Sequence, residues 1–205
     1  MPKKKNRATS SAALLIFVKN AELGKVKTRL AATVGDHEAL RIYEKLLAYT
    51  RGVATTFLTD RFLFYSDFLE EKDAWQGDLF YKLLQTGNDL GERMQHAFEF
   101  IFAKKYHHAL LIGSDCPTLT DKVLQAALEA LQTHDLVIGP ATDGGYYLLG
   151  MNQLHADLLQ NIAWSSKDVL SLTVQKAKKL NLKVSLLAVL PDIDYEEDWK
   201  KYGWK

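Results

Sequence analysis

Between Lys19 and Arg29 the chain gathers, besides Lys25, the three cations Lys19, Lys27 and Arg29, with one glycine, Gly24, and one hydroxyl, Thr28. Cationic side chains form charge-assisted hydrogen bonds with phosphate oxygens, and a glycine lets backbone approach a ligand closely. The basic stretch follows the apolar run Leu14–Val18 and leads into a helical pattern. It therefore falls where a strand hands over to a helix. Backbone N–H groups and the positive end of a helix favour an anion at such a junction. The chemistry indicated is the binding of a nucleotide or a phosphorylated substrate. Lys25, in the same stretch, has no comparable support.

Acidic residues supply the second half of a site. Asp115 stands in Gly113-Ser114-Asp115-Cys116-Pro117, directly after the apolar run His108–Ile112. An Asp there can hold a divalent cation through oxygen, or cap the turn that the proline fixes. Asp192 and Asp194 flank Ile193; in extended chain they share one side, and one of them can be a second metal ligand. Acids at this point also suit the start of a helix. Asp143-Gly144-Gly145 reads either as a tight turn or as a loop that admits a sugar or acceptor, with Asp143 bonding hydroxyls. In Leu90-Gly91-Glu92-Arg93-Met94, Glu92 fits a helix start, which leaves Arg93 to face a ligand. Trp164-Ser165-Ser166 reads as an acceptor lid or as packing. Cys116 reads as a small buried hydrophobe, and the six histidines show no metal-ligand spacing.

The elements that must position these residues alternate. Strands are expected at Leu14–Val18, Arg61–Ser66, Asp78–Leu84, His108–Ile112, Asp135–Gly139, Tyr146–Met151 and Lys183–Leu190. Helices are expected from Asp36 to about Thr56, over Gly91–Lys104, after Thr120 or Asp121, from about Ser166 to Leu180, and briefly after Asp192. Helices between short buried strands predict an α/β fold, with a mostly parallel sheet flanked by helices on both faces. Ligands in such sheets bind beyond the carboxyl ends of the strands, which is where the candidate residues fall.

Bulk properties narrow the classes. At 205 residues, 47% of them hydrophobic, the expectation is a flexible tail over residues 1–11 and a single domain over 12–205. A net charge of +1 argues against nucleic acid as a partner. No apolar run reaches the length of a membrane span, and Lys19 cuts the first run too short for a signal segment. One cysteine cannot form an internal disulfide and suits the cytoplasm. The aromatic-rich stretch 61–81 is a candidate surface for a homo-oligomer.

Five ordered blocks, Phe17–Leu30, Leu90–Met94, Gly113–Pro117, Gly139–Leu148 and Asp192–Asp198, together resemble the family of small bacterial glycosyltransferase-like proteins. The chain departs from the family pattern at Asn20-Ala21-Glu22, where prolines are usual. It also carries Tyr195-Glu196 where Thr-Pro is common in the wider superfamily. That superfamily is the nucleotide-diphospho-sugar transferases with the GT-A fold. The resemblance implies a nucleotide sugar or nucleoside triphosphate as substrate, a small-molecule acceptor, and Mg²⁺ or Mn²⁺ as cofactor. It implies Asp115 and Asp194 as metal ligands, with Asp115, Lys27 and Asp143 in catalysis. Nucleotide and phosphate contacts are expected from Lys19, Gly24, Lys27, Thr28, Arg29, Arg93 and Ser114. The acceptor or sugar is expected at Asp143, Gly144, Gly145 and Trp164. Glycosyl transfer and nucleotidyl transfer share these residues, and a nucleotide-binding protein without turnover stands as a third reading.

Overall fold

In the computed structural model, which describes residues 11–204, a seven-stranded sheet runs in the order β3-β2-β1-β4-β6-β5-β7. The strands are β1 (Ala12–Val18), β2 (Asp60–Tyr65), β3 (Tyr81–Leu84), β4 (His108–Ile112), β5 (Leu136–Pro140), β6 (Tyr146–Met151) and β7 (Val184–Leu186). All neighbours pair in parallel except at β6, which runs antiparallel between β4 and β5. The helices are α1 (Thr28–Val34), α2 (Asp36–Thr56), α3 (Leu90–Ala103), α4 (Asp121–Ala130), α5 (Val169–Lys179) and α6 (Glu196–Tyr202). Residues 1–10 of the expected tail lie outside the described residues. Ser11 is tied down, its carbonyl accepting the backbone N–H groups of His107 and His108.

Every residue of β1 is buried, because the strand sits centrally and both its faces are covered. Its side chains divide by alternation. Leu14, Ile16 and Val18 join a core with Leu110, Ile112, Leu124 and Ala127, whereas Ala13, Leu15 and Phe17 join the opposite core with Met94, Phe98, Leu111 and Ala177. A third, smaller cluster of Leu30, Ala39, Ile42, Leu46 and Ile193 lies under α1, α2 and α6. The expected aromatic stretch is turned mostly inward: Phe62, Phe64, Tyr65, Trp75 and Phe80 are buried, while Phe68 and Tyr81 stay at the surface.

The expected elements differ from the observed ones mainly at their ends. The helical pattern after the basic stretch breaks at Gly35 (φ 82°), which separates α1 from α2. The third strand begins three residues late, because Leu79 and Phe80 close a turn onto Gln76. The last strand ends early, yet Leu187 and Leu190 still donate to Ile138 and Pro140, so the chain keeps following β5 without regular pairing. Thr120, one of the two expected caps, accepts from Val123 N–H, and Asp89 caps α3 by accepting from Glu92 N–H.

The carboxyl end of α2 is closed from outside the helix. Arg61, only 6% exposed, donates through Nε to the Ala54 carbonyl and through one terminal nitrogen to those of Thr55 (3.0 Å) and Phe57 (2.8 Å). These are last-turn carbonyls that have no partner within the helix. Replacing the guanidinium by a hydrocarbon strips a buried set of charged hydrogen bonds, at a cost of about 3 kcal/mol. Arg61→Leu is therefore expected to lower the unfolding free energy by that amount, read as a lower urea midpoint with the slope unchanged. An unaltered midpoint would show that water serves these carbonyls equally well.

Candidate functional site

Beyond the carboxyl ends of β1, β3, β4 and β5 lies a cleft of about 570 Å³. Of the residues singled out from sequence, Lys19, Lys27, Thr28, Arg29, Ser114, Asp115, Asp143, Gly145, Trp164 and Asp194 line it. Lys27 is the hub. It sits in the left-handed region (φ 49°, ψ 43°) at the start of α1, and its side chain is 5% exposed. The ammonium lies 2.8 Å from Asp115 Oδ1 and 3.6 Å from Asp194 Oδ1, and it donates to the Ile193 carbonyl at 2.6 Å. Arg29 pairs with the second oxygen of Asp194 at 2.9 Å, and its half-exposed side chain leaves further N–H groups facing the cleft.

Ile193 explains why two acids arrive here together. Its side chain is fully buried in the small cluster, and its N–H donates to the Asp115 carbonyl at 3.0 Å. With Ile193 anchored inward, Asp192 and Asp194 both line the cleft. The preceding residues reach the same rim through Thr142 N–H to the Leu190 carbonyl and Thr142 Oγ1 to Asp192 Oδ1 at 3.2 Å. Asp143, Asp192 and Asp194 thereby come together, with one carboxylate oxygen of each within 4.8 Å of the others. Burial, then the charges of Asp143 and Asp194, push the Asp192 carboxyl up from 3.8 to about 6.

Tyr43, from α2, braces the floor. Its hydroxyl accepts from Lys19 N–H at 2.8 Å, donates to the Lys19 carbonyl at 3.0 Å, and accepts from Ser114 Oγ at 3.4 Å. One buried phenol thus joins the ends of β1 and β4. Burial, then the neighbouring Asp115 charge, raises its pKa and keeps it protonated. Cys116 is buried, and burial likewise pushes its thiol up, so it rests as the neutral thiol.

Three singled-out residues sit elsewhere. Gly24 (φ 74°) turns the loop beside Asp36, and Arg93 donates to the Gly87 carbonyl at 3.2 Å. Gly144 (φ 92°) gives its clearance to the chain itself, since a Cβ there would lie 2.2 Å from the Lys167 carbonyl. Gly91 does the same for the segment carrying Trp164, with Leu159 O 2.1 Å from a built Cβ. Asp143 also holds its own turn by accepting from Gly145 N–H at 2.8 Å. Sequence reading weighed Asp192 but fixed on its neighbour; the Asp-x-Asp alternation was the available signal. Tyr43 and Gln85, which also line the cleft, gave none, because a tyrosine on a helix face and a glutamine ending a strand are ordinary residues.

Comparison with solved structures gives a consistent fold. A protein from Desulfovibrio desulfuricans G20, provisionally named a nucleotide-diphospho-sugar transferase, is 36% identical and superposes with a TM-score of 0.85, over 91% of this chain and 84% of that one. The 4-diphosphocytidyl-2C-methyl-D-erythritol synthase of Anaerococcus prevotii DSM 20548 is 10% identical (TM-score 0.58, 95% of each chain). The inositol-1-phosphate CTP transferase of T. maritima is 14% identical (TM-score 0.54, 95% of this chain and 94% of that one). The fold is that of the nucleotide-diphospho-sugar transferases, as the five sequence blocks implied. A search of curated proteins finds no match. No helix among the described residues is long and apolar enough to cross a membrane. A family profile matches residues 49–166, more than half of the chain, and with the 36% identity to the Desulfovibrio protein this makes the chain a member of the family described as "Uncharacterized protein conserved in bacteria (DUF2064)".

Proposed function

We propose that the chain is a divalent-cation-dependent transferase whose donor is a nucleotide sugar or a nucleoside triphosphate and whose acceptor is a small molecule. The observation that carries the reading is the meeting of Asp115, Asp143, Asp192 and Asp194 with Lys27 and Arg29 at one rim of the sheet. Four carboxylates face two paired cations, which leaves two negative charges, the charge one divalent ion neutralises. The Asp192 carboxyl is raised first by burial and then by the charges of Asp143 and Asp194, the direction such a cluster adds.

The donor set fits Mg²⁺ or Mn²⁺. Both take oxygen ligands, and Asp143, Asp192 and Asp194 each offer one carboxylate oxygen within 4.8 Å of the others, so these three would hold the ion. When bound, the ion supplies a counter-charge for phosphate oxygens. Asp115 lies beside this trio but is engaged by Lys27, so its part is to complete the acidic rim and hold the ammonium in place. Arg29, anchored through one nitrogen on Asp194, turns its remaining donors to the transferred or departing phosphates. Charge that develops on the leaving group is then stabilised by groups already oriented before reaction. Asp143, Gly145 and Trp164 line the part of the cleft assigned to the sugar or acceptor.

Glycosyl transfer is supported by the 36% identity to the Desulfovibrio protein. Nucleotidyl transfer has its own support in the basic β1–α1 loop and in a single acid within Ser114-Asp115-Cys116, where many metal-dependent glycosyltransferases carry Asp-x-Asp. Product identity separates them: with Mg²⁺, pyrophosphate release marks nucleotidyl transfer and nucleoside diphosphate release from a sugar donor marks glycosyl transfer. Tight binding with neither product would leave a nucleotide-binding protein without turnover. Asp115→Ala is expected to cut turnover at least about a hundredfold while the fold is retained, at a lower thermal midpoint because the buried Lys27 ammonium loses a partner. Undiminished turnover in that variant would remove Asp115 from the site.

The charge cluster also fixes a pH dependence. A carboxyl whose pKa is raised on folding binds its proton more tightly in the native state, so its contribution to stability falls as pH climbs from about 4 to about 6. Asp192→Asn removes the charge. In EDTA the variant is expected to melt above wild type at pH 7–8, with the difference shrinking towards pH 4, and to lose most of the stabilisation that Mg²⁺ gives the wild-type protein. A variant that melts below wild type at pH 8 would show that the cluster carries no uncompensated charge.

A further inference from the structure

We infer that a second copy of this chain covers the open edge of the sheet at β7, with its own β7 segment running antiparallel alongside. The sheet order ends at β7, so one side of that strand meets β5 and the other meets no strand among the described residues. Leu187 N–H donates to the Ile138 carbonyl at 2.9 Å, on the β5 side. Backbone groups alternate in direction along a strand, so the N–H and C=O of Leu186 turn to the open side. Regular pairing stops at Leu186, yet the chain follows β5 as far as Leu190, which lengthens the edge. From Val184 to Pro191 it carries no charged residue, and Leu186 and Val189 keep 55% and 60% of their surface exposed. Proteins ordinarily guard an edge with charged side chains or a covering element. The opposite edge strand, β3, has Lys82 within it. The β7 side has no such guard.

The charges at its two ends select what covers it. Lys183 precedes the apolar run, following Lys178 and Lys179 in the last turn of α5. Asp192 follows the run and is grouped with Asp143. One end of the edge is therefore basic and the other acidic. A copy added in parallel would set like charge against like. A copy turned about a twofold axis sets the Lys183 end of each chain against the Asp192 end of the other, and both contacts form at once because such an interface is isologous. Placing Lys183 opposite Asp192 also brings Leu186 opposite Val189. The same register thus pairs the charges and covers the two exposed apolar side chains. This inference stands independently of the transferase reading.

Sedimentation equilibrium of the full chain over a range of concentrations tests this. Wild type is expected to associate into a dimer, and a monomer at every concentration overturns the inference. Leu186→Lys puts a charge on an exposed position, so the circular dichroism spectrum is expected to be unchanged while dimerisation weakens at least about tenfold. Tyr81→Lys, on the opposite edge, is expected to leave the dimer intact. A dimer that survives Leu186→Lys, or is lost in Tyr81→Lys alone, overturns the assignment to β7. If the lysine variant does not fold, cysteines report the contact instead, since the native Cys116 is buried. On mild oxidation, Leu186→Cys mixed with Val189→Cys is expected to give more crosslinked dimer than either variant by itself. No crosslink in the mixture, or equal crosslinking by each variant alone, overturns the antiparallel register.

Discussion

Taking an ammonium out of water costs several kcal/mol, and the cost is offset only if oxygens are fixed around it. The Lys27 side chain meets that condition with Asp115 from the end of β4, and with Asp194 and the Ile193 carbonyl from the stretch before α6. Two stretches distant in sequence are thereby tied by three oxygens to one nitrogen at the start of α1. Removing any one of them would leave a buried charge short of partners, so the geometry of the rim and the integrity of the fold are linked at this point. Arg29 extends the arrangement outward, since it shares Asp194 with Lys27 but keeps half of its side chain in solvent. The inner cation organises carboxylates, and the outer one is left with donors to spare.

The same economy recurs where loops meet the sheet. Ile193 is held by its burial in the cluster under α1 and α2 and by one hydrogen bond to Asp115, and its two neighbours need no further steering. Tyr43 fixes the exits of β1 and β4 with a single hydroxyl. Asn20, where the family usually has prolines nearby, clamps the loop after β2 by accepting from the Asp67 and Phe68 N–H groups and donating to the Phe68 carbonyl. A proline stiffens a loop by fixing its own φ, and here a buried amide reaches a comparable end through hydrogen bonds.

The glycines of the Asp-Gly-Gly turn show how a correct element can carry a second purpose. Gly145 does line the cleft, whereas the room beside Gly144 is filled by the Lys167 backbone, and the Leu170 N–H donates to the Gly144 carbonyl. Gly91 makes equivalent room for Leu159 and Trp164. Two glycines thus dock the segment between β6 and α5 against the body of the fold. Close backbone approach was the right physical inference from the residue type. Whether the approaching group is a ligand or the chain itself depends on a neighbour remote in sequence.

What the sequence determined by itself was the pattern. Periodicities of two and of three to four placed the strands and most helices, because each reflects which side of an element meets the core. Buried strands between helices then imply a parallel sheet with its ligands at the carboxyl ends, and the basic and acidic residues were legible as belonging there. Tertiary structure alone decided which charges meet. The Lys27 ammonium between Asp115 and Asp194, the convergence of Asp143 with Asp192, and the phenol of Tyr43 between Lys19 and Ser114 each join residues from separate elements. Local patterning carries no information about such distances, since a side chain's propensity depends on its neighbours along the chain, and its electrostatics on whatever folding brings within a few ångströms.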